Sequence, residues 1–157
     1  MNTQSKSSPR LFLTDPERMR LRSRGIKLRD ISAIELGVLA AVLECSPERA
    51  EKLRASALFQ TIPSVGPAAA DWLVDLGYRS LEDLRVESGP ALLVRLERLY
   101  GHWMDPCLED VLWCVVYHAN HPGSDKVWYD FTQKRKDYRA QHGYPSSRPT
   151  LAWHSAP

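Results

Sequence analysis

No stretch of this 157-residue chain is apolar for anything near the ~20 residues a helix needs to cross a bilayer, and Met1 to Arg10 lacks the apolar core of a signal peptide. A cytoplasmic location without membrane association is the expectation. Cysteine is scarce: Cys45, Cys107 and Cys114 form an odd set without the spacing of a disulfide framework, which predicts reduced thiols in a reducing compartment. Nowhere do apolar and polar residues alternate over the length of a strand, so the expected fold is all-α. The chain has no Ser-His-Asp order, no phosphate-cradling P-loop and no His-Glu-x-x-His. No catalytic residue, metal or cofactor is inferred. A large excess of one charge is missing too, since the formal net charge is +2, and the balance alone names no partner.

What is present is ordinary in amount and uneven in distribution. Hydrophobic residues make up 43% and charged residues 25%, values that support a globular core and confine disorder to the ends. The reading is a disordered N-terminus over 1–12, a single helical domain over 13–143, and a flexible tail over 144–157. Residues 1–60 carry 11 Lys or Arg against 7 Asp or Glu, 61–121 carry 4 against 9, and 122–157 carry 6 against 3. Arg18, Arg20, Arg22, Arg24, Lys27 and Arg29 follow one another with no acid between them. That run is either a solvated helix face or a patch that contacts phosphate.

Turn chemistry and helical periodicity interlock most tightly between Phe59 and Tyr78. Phe59 and Ile62 lie three apart on a first helix that Pro63 ends, and Gly66 is expected to adopt a backbone that a β-carbon would obstruct. Pro67 opens a second helix, whose apolar stripe is Ala70, Leu73 and Leu76 and whose C-cap is Gly77. This resembles the helix-hairpin-helix motif, here over 57–77: Ile62, Val65, Gly66 and Ala70 match its pattern, and Ser64 stands where the first glycine is usual. In that motif the hairpin and the N–H groups opening the second helix hold a nucleic-acid phosphate, for which unpaired amides and a positive dipole end are suited.

The remaining helices announce themselves by their caps. Thr14-Asp15-Pro16-Glu17 starts one that runs to Gly25, and Ser32-Ala-Ile-Glu35 opens a buried one to Leu43. Ser46-Pro47-Glu48, Ser80-Leu-Glu-Asp83, Ser88-Gly-Pro90, Asp105-Pro106 and Thr132 begin the others, for about seven or eight short helices in all. Glu109 and Asp110 sit in a first turn, where the helix dipole accounts for them. Cys107, Cys114, His118 and His121 share one helix face, but a rise of about 10 Å separates the cysteines, so only Cys114 and His118 could share an ion. Packing as small buried hydrophobes explains the cysteines better.

Residues 55–132, through Thr61-Ile-Pro-Ser-Val-Gly-Pro67, Asp75-Leu-Gly-Tyr-Arg-Ser-Leu-Glu-Asp-Leu84, Tyr100-Gly-His102 and Asp105-Pro-Cys107 to Tyr117, resemble the Pathogenicity-locus family, short bacterial helix-hairpin-helix proteins, some called mitomycin resistance proteins. The resemblance implies a helical fold and a DNA-related role, in repair or stress. The expectation is a non-enzymatic protein that binds DNA through backbone phosphates without sequence specificity, using Ser64, Val65, Gly66, Ala68 and Ala69 with Arg20, Arg24 and Lys27. The alternative is a protein-interaction module in which the hairpin is structural.

Overall fold

Helix-starting caps and helix-stopping glycines divide this chain into eight α-helices and three short 3-10 segments among the described residues, which are 7–157 of a computed structural model. The fold is all-α; the sole strand-like feature among them is an isolated bridge between Trp103 and Ala152. None of these helices is long and apolar enough to cross a membrane. The chain divides into two compact units, Met1–Ser80 and Leu81–Pro157, a division that the reading of one domain over 13–143 does not draw.

The first unit holds α1 (Asp15–Ser23), a 3-10 segment (Leu28–Ala33), α2 (Leu36–Leu43), α3 (Pro47–Phe59) and α4 (Pro67–Asp75). The helix start expected at Thr14-Asp15-Pro16-Glu17 is present, with Thr14 as N-cap in a reciprocal capping box with Glu17, and Gly25 takes a positive φ just past the helix end. Two boundaries differ from the sequence reading. Residues 28–33 wind as 3-10, and α2 is capped by the Glu35 carboxylate, which accepts from Gly37 and Val38, instead of by Ser32. Helix α2 is also not buried all round, for only Leu39 and Leu43 are in the core and Val38 is 52% exposed. Leu11, Leu13, Leu21, Ile31, Leu39, Leu43 and Leu53 pack together as the core of this unit. Of the stretch expected to be disordered, residues 1–6 lie outside the described residues. Leu11 is buried, and the Gln60 side chain clamps the Arg10 main chain from both sides, accepting from its N–H at 2.9 Å and donating to its carbonyl at 2.9 Å.

One buried ion pair ties α1 to α3. Arg49 donates through Nε to Glu17 at 2.7 Å and through Nη2 at 2.8 Å, and Glu17 is 4% exposed. Arg49 thereby holds the Glu17 carboxyl at about 2, against an ordinary 4.5, with Thr14 helping and burial opposing. A lowered native value means that the folded chain holds this proton more weakly than the unfolded one. The stabilisation is therefore complete above pH 4.5 and is lost as pH falls towards 2. Arg49→Met should cost about 2 kcal/mol at pH 7, discounted for the half-open guanidinium, and most of that difference should vanish by about pH 2. Urea denaturation at both pH values measures it; a deficit independent of pH would refute the assignment.

The second unit holds α5 (Leu81–Leu84), α6 (Gly89–Tyr100), α7 (Pro106–Asn120), a 3-10 segment (Trp128–Phe131), α8 (Thr132–His142) and a terminal 3-10 turn (Trp153–Ser155). Ser88, Gly101 and Asp105 act as the caps their positions predict. Leu92, Leu93 and Leu96 are buried with Leu112, Cys114, Val115 and Phe131, whereas Leu99, near the end of α6, is 51% exposed. Glu109 and Asp110 are fully buried and paired with Arg139 and Arg135 of α8, which replaces the dipole explanation with a tertiary one. The segment after Gly143, expected to be a flexible tail, is docked. Arg148 donates to Glu97 at 2.8 and 2.9 Å, its guanidinium lies 3.8 Å from the Tyr144 ring centroid, and the Trp103 main chain bonds Leu151 and Trp153 at 2.8 and 2.9 Å.

Candidate functional site

The hairpin of the first unit follows directly from where α3 runs out. Helix α3 continues without a break to Phe59, so the two helices expected there are one, and Ile62 falls in the turn beyond it. The turn is closed by Thr61 N–H to Leu58 O at 3.0 Å, Ile62 N–H to Phe59 O at 3.1 Å and Val65 N–H to Ile62 O at 3.1 Å. Ile62 and Val65 are buried and anchor the loop in the core. Val65 is therefore a packing residue, with its side chain turned away from solvent.

The left-handed residue of the turn is Ser64, with φ 72°, and not Gly66. Gly66 has φ −90° and ψ −172°, ordinary extended backbone, and an added Cβ would meet open space. The expectation that a β-carbon is obstructed at Gly66 is thus corrected: the unusual conformation sits two residues earlier, on a residue that bears a side chain. Gly66 is the N-cap of α4 without any side-chain cap, and Pro67 occupies the first helical position. Among the described residues the N–H groups of Gly66, Ala68 and Ala69 donate to nothing. Gly66 and Ala68 are exposed; Ala69 is 8% exposed, so the first two carry the opening.

Beside these amides lies a groove of about 600 Å³, lined by Pro9, Arg29, Gln60, Ile62, Ser64 and Gly66 among others. Arg29 is the charged residue of that lining, and no carboxylate contributes to it. The 3-10 segment over 28–33 brings it there. It is the member of the basic run that reaches the hairpin, and among the described residues it has no ion-pair partner. Of the three cations singled out from sequence, Arg20 is committed elsewhere, to Leu43 O at 3.0 Å and Glu44 at 2.7 Å. Arg24 and Lys27 are exposed and line no part of the groove. The signal for Arg29 was its place at the end of the run, but which cation faces the hairpin depends on a fold-back that local pattern does not encode.

Asp71 and Asp75, acidic neighbours of the hairpin in sequence, line a separate hollow of about 350 Å³ with Phe12, Glu48 and Lys52. Burial pushes the Asp71 carboxyl up, the charge of Asp75 adds to this, and a hydrogen bond from Ser56 opposes it. Neither carboxylate lines the groove beside Gly66.

In the second unit, the Cys and His face is divided in its contacts. Cys107 and His121 are exposed, while Cys114 and His118 are buried. His118 Nε2 lies 2.7 Å from the Lys126 carbonyl, which only an N–H can satisfy, and the Cys114 thiol meets the same oxygen at 3.8 Å. Burial raises the Cys114 thiol to about 12, far from the thiolate a metal takes. Among the described residues no three His, Cys, Asp or Glu side chains are grouped to hold a metal ion. Compared with known proteins, the chain matches the family model described as Cdd1, Pathogenicity locus, over residues 52–137. No curated protein and no solved structure matches it.

Proposed function

The chain belongs to the Pathogenicity locus family, and on that premise we propose that its first unit is a non-enzymatic DNA-binding module that grips backbone phosphate without reading sequence. Residues 57–77 then serve as a helix-hairpin-helix. The observation that supports this reading is that Gly66, the exposed N-cap of α4, and Arg29 line one groove to which no carboxylate contributes. A phosphate there gains the dipole end of α4, worth about 0.3–1 kcal/mol, and a charge-assisted bond from the Arg29 guanidinium, which has no ion-pair partner among the described residues. Arg18, Arg22, Arg24 and Lys27 have no ion-pair partner among the described residues either, and on this reading they add general attraction for a polyanion without touching the groove. Cys45, Cys107 and Cys114 form no disulfide among the described residues, and we assign the protein to the reducing cytoplasm.

Fluorescence anisotropy with a labelled duplex tests the reading. Affinity should fall with salt, with a log–log slope of about −2 to −4 for a few phosphate contacts, and Arg29→Ala should reduce that slope by about 1. Gly66→Glu should weaken binding about tenfold by setting a like charge against the phosphate. Gly66→Ser is the sharper probe. Its hydroxyl should cap α4 and leave the fold at least as stable, by about 0.3 kcal/mol, while occupying the amide that the phosphate needs. Binding indifferent to salt and to all three substitutions would discard the proposal and redirect the search to a protein partner, to be sought as one protein retained in a pull-down after nuclease treatment.

A further inference from the structure

Resting on the phosphate-binding reading, we propose that the groove beside the hairpin receives one unstacked nucleobase, so that the protein prefers DNA carrying an unpaired nucleotide to intact duplex. Gripping a phosphate requires only a surface with donors, and leaves a hollow of about 600 Å³ without a purpose. The groove is open along one side, and its volume is of the order of small-molecule clefts, roughly 300–1,000 Å³. Its walls include Pro9, Ala57, Ile62, Pro63 and Val65, an apolar lining, with Arg29 as the charged member. The ligand complementary to this is a flat apolar body joined to an anion, which describes a nucleotide. In a duplex the flat faces are covered by neighbouring base pairs; in an unpaired strand they are open, and they stack on aromatic side chains and on guanidinium planes, of which this lining offers the guanidinium of Arg29 beside its apolar walls.

Two of the polar side chains of this lining are already committed within the protein. The Gln60 amide is occupied at both ends, its oxygen by the Arg10 N–H and its nitrogen by the Arg10 carbonyl and Ser56 Oγ. The Thr61 hydroxyl donates to Leu58 O at 2.6 Å. Neither is available as a donor to read a base edge, which favours acceptance by shape and stacking over readout by these two side chains. The clamp on Arg10 also sets Pro9 as a preformed wall, which saves ordering cost on binding.

The experiment measures anisotropy of the full-length protein with three labelled DNAs at one salt concentration: a blunt duplex, the same duplex with a short single-stranded overhang, and that overhang with its nucleotides made abasic. The overhang should tighten binding about tenfold, the abasic overhang should return it to the blunt level, and exchanging adenine, cytosine and thymine in the overhang should change affinity less than about threefold. A single strand has the lower charge density, so counterion release alone predicts no such gain. An overhang bound no better than blunt duplex, or an abasic overhang bound as tightly as the intact one, would overturn the base subsite and leave the phosphate reading standing. Failure to bind any of the three would remove both.

Discussion

Arg135→Met should cost about 3–5 kcal/mol in the urea unfolding of this protein, the usual consequence of leaving a buried carboxylate without its cation. Asp110 is fully buried near the start of α7, and its two oxygens are satisfied by Arg135, through Nε and Nη2, and by the Thr132 hydroxyl at 2.8 Å. With the guanidinium gone, one neutral hydroxyl would face a full charge in the interior. Coulomb attraction here is not a net gain over an apolar core, because removing both ions from water costs as much as their pairing returns. The loss in the single variant therefore measures the orphaned charge. The double variant Asp110→Leu with Arg135→Met should recover most of it, giving a coupling of at least about 2 kcal/mol in a double-mutant cycle. Equal stability of the single and double variants, or a single-variant loss under about 1 kcal/mol, would show that the pair is peripheral to the fold.

The pair is not isolated. Arg139, one turn after Arg135 on α8, makes bonds of 2.8, 3.0 and 3.2 Å to Glu109, beside Asp110 on α7. Tyr144 lies over both Arg139 and Arg148, at 4.1 and 3.8 Å, and Arg148 closes on Glu97. Three arginines from the C-terminal third thus neutralise three buried carboxylates of α6 and α7. Helix α8, polar in sequence, is held by directed charge pairs more than by an apolar face.

This contrast accounts for what could be read from the residue order and what could not. Features decided within one turn of chain were legible: the helix start at Thr14, Ser88 before Gly-Pro, Asp105 before Pro106, and the left-handed stop at Gly101. Those depending on partners far along the chain were not. Glu109 and Arg139 stand 30 residues apart, Glu97 and Arg148 stand 51 apart, and each looks locally like a solvated surface charge. The hairpin divides in the same way. Its location and the bareness of the α4 N-terminus were visible in Pro63, Gly66 and Pro67, while the strained position fell on Ser64 and the groove's cation proved to be Arg29. A motif fixes which amides are free; only the fold decides which side chain stands opposite them.

The second large effect should come from a single methyl group. Gly89→Ala at the start of α6 should destabilise the protein by about 2–3 kcal/mol, against the gain of up to about 1 kcal/mol that the same exchange brings where space permits. A Cβ on Gly89 would stand 2.6 Å from both Cδ1 and Cγ of the Trp113 indole and 2.9 Å from its Nε1, distances that packed atoms do not tolerate. The ring has little freedom to yield. Its Nε1 donates to Glu109 at 3.3 Å, Tyr138 meets it edge-on with centroids 5.7 Å apart, and Lys134 lies 5.4 Å from the ring centroid. Displacing it would disturb the carboxylate that Arg139 holds, so the strain should spread into the α7 to α8 pairing. Combining Gly89→Ala with Trp113→Leu should cost less than the sum of the two single changes, because the smaller side chain vacates the space that the methyl needs. Gly66→Ala provides the contrast, since its Cβ meets nothing and its φ is ordinary, and it should alter stability by less than about 1 kcal/mol. If the two alanine variants unfold at the same urea concentration, the close approach of α6 to Trp113 is not what demands glycine at position 89.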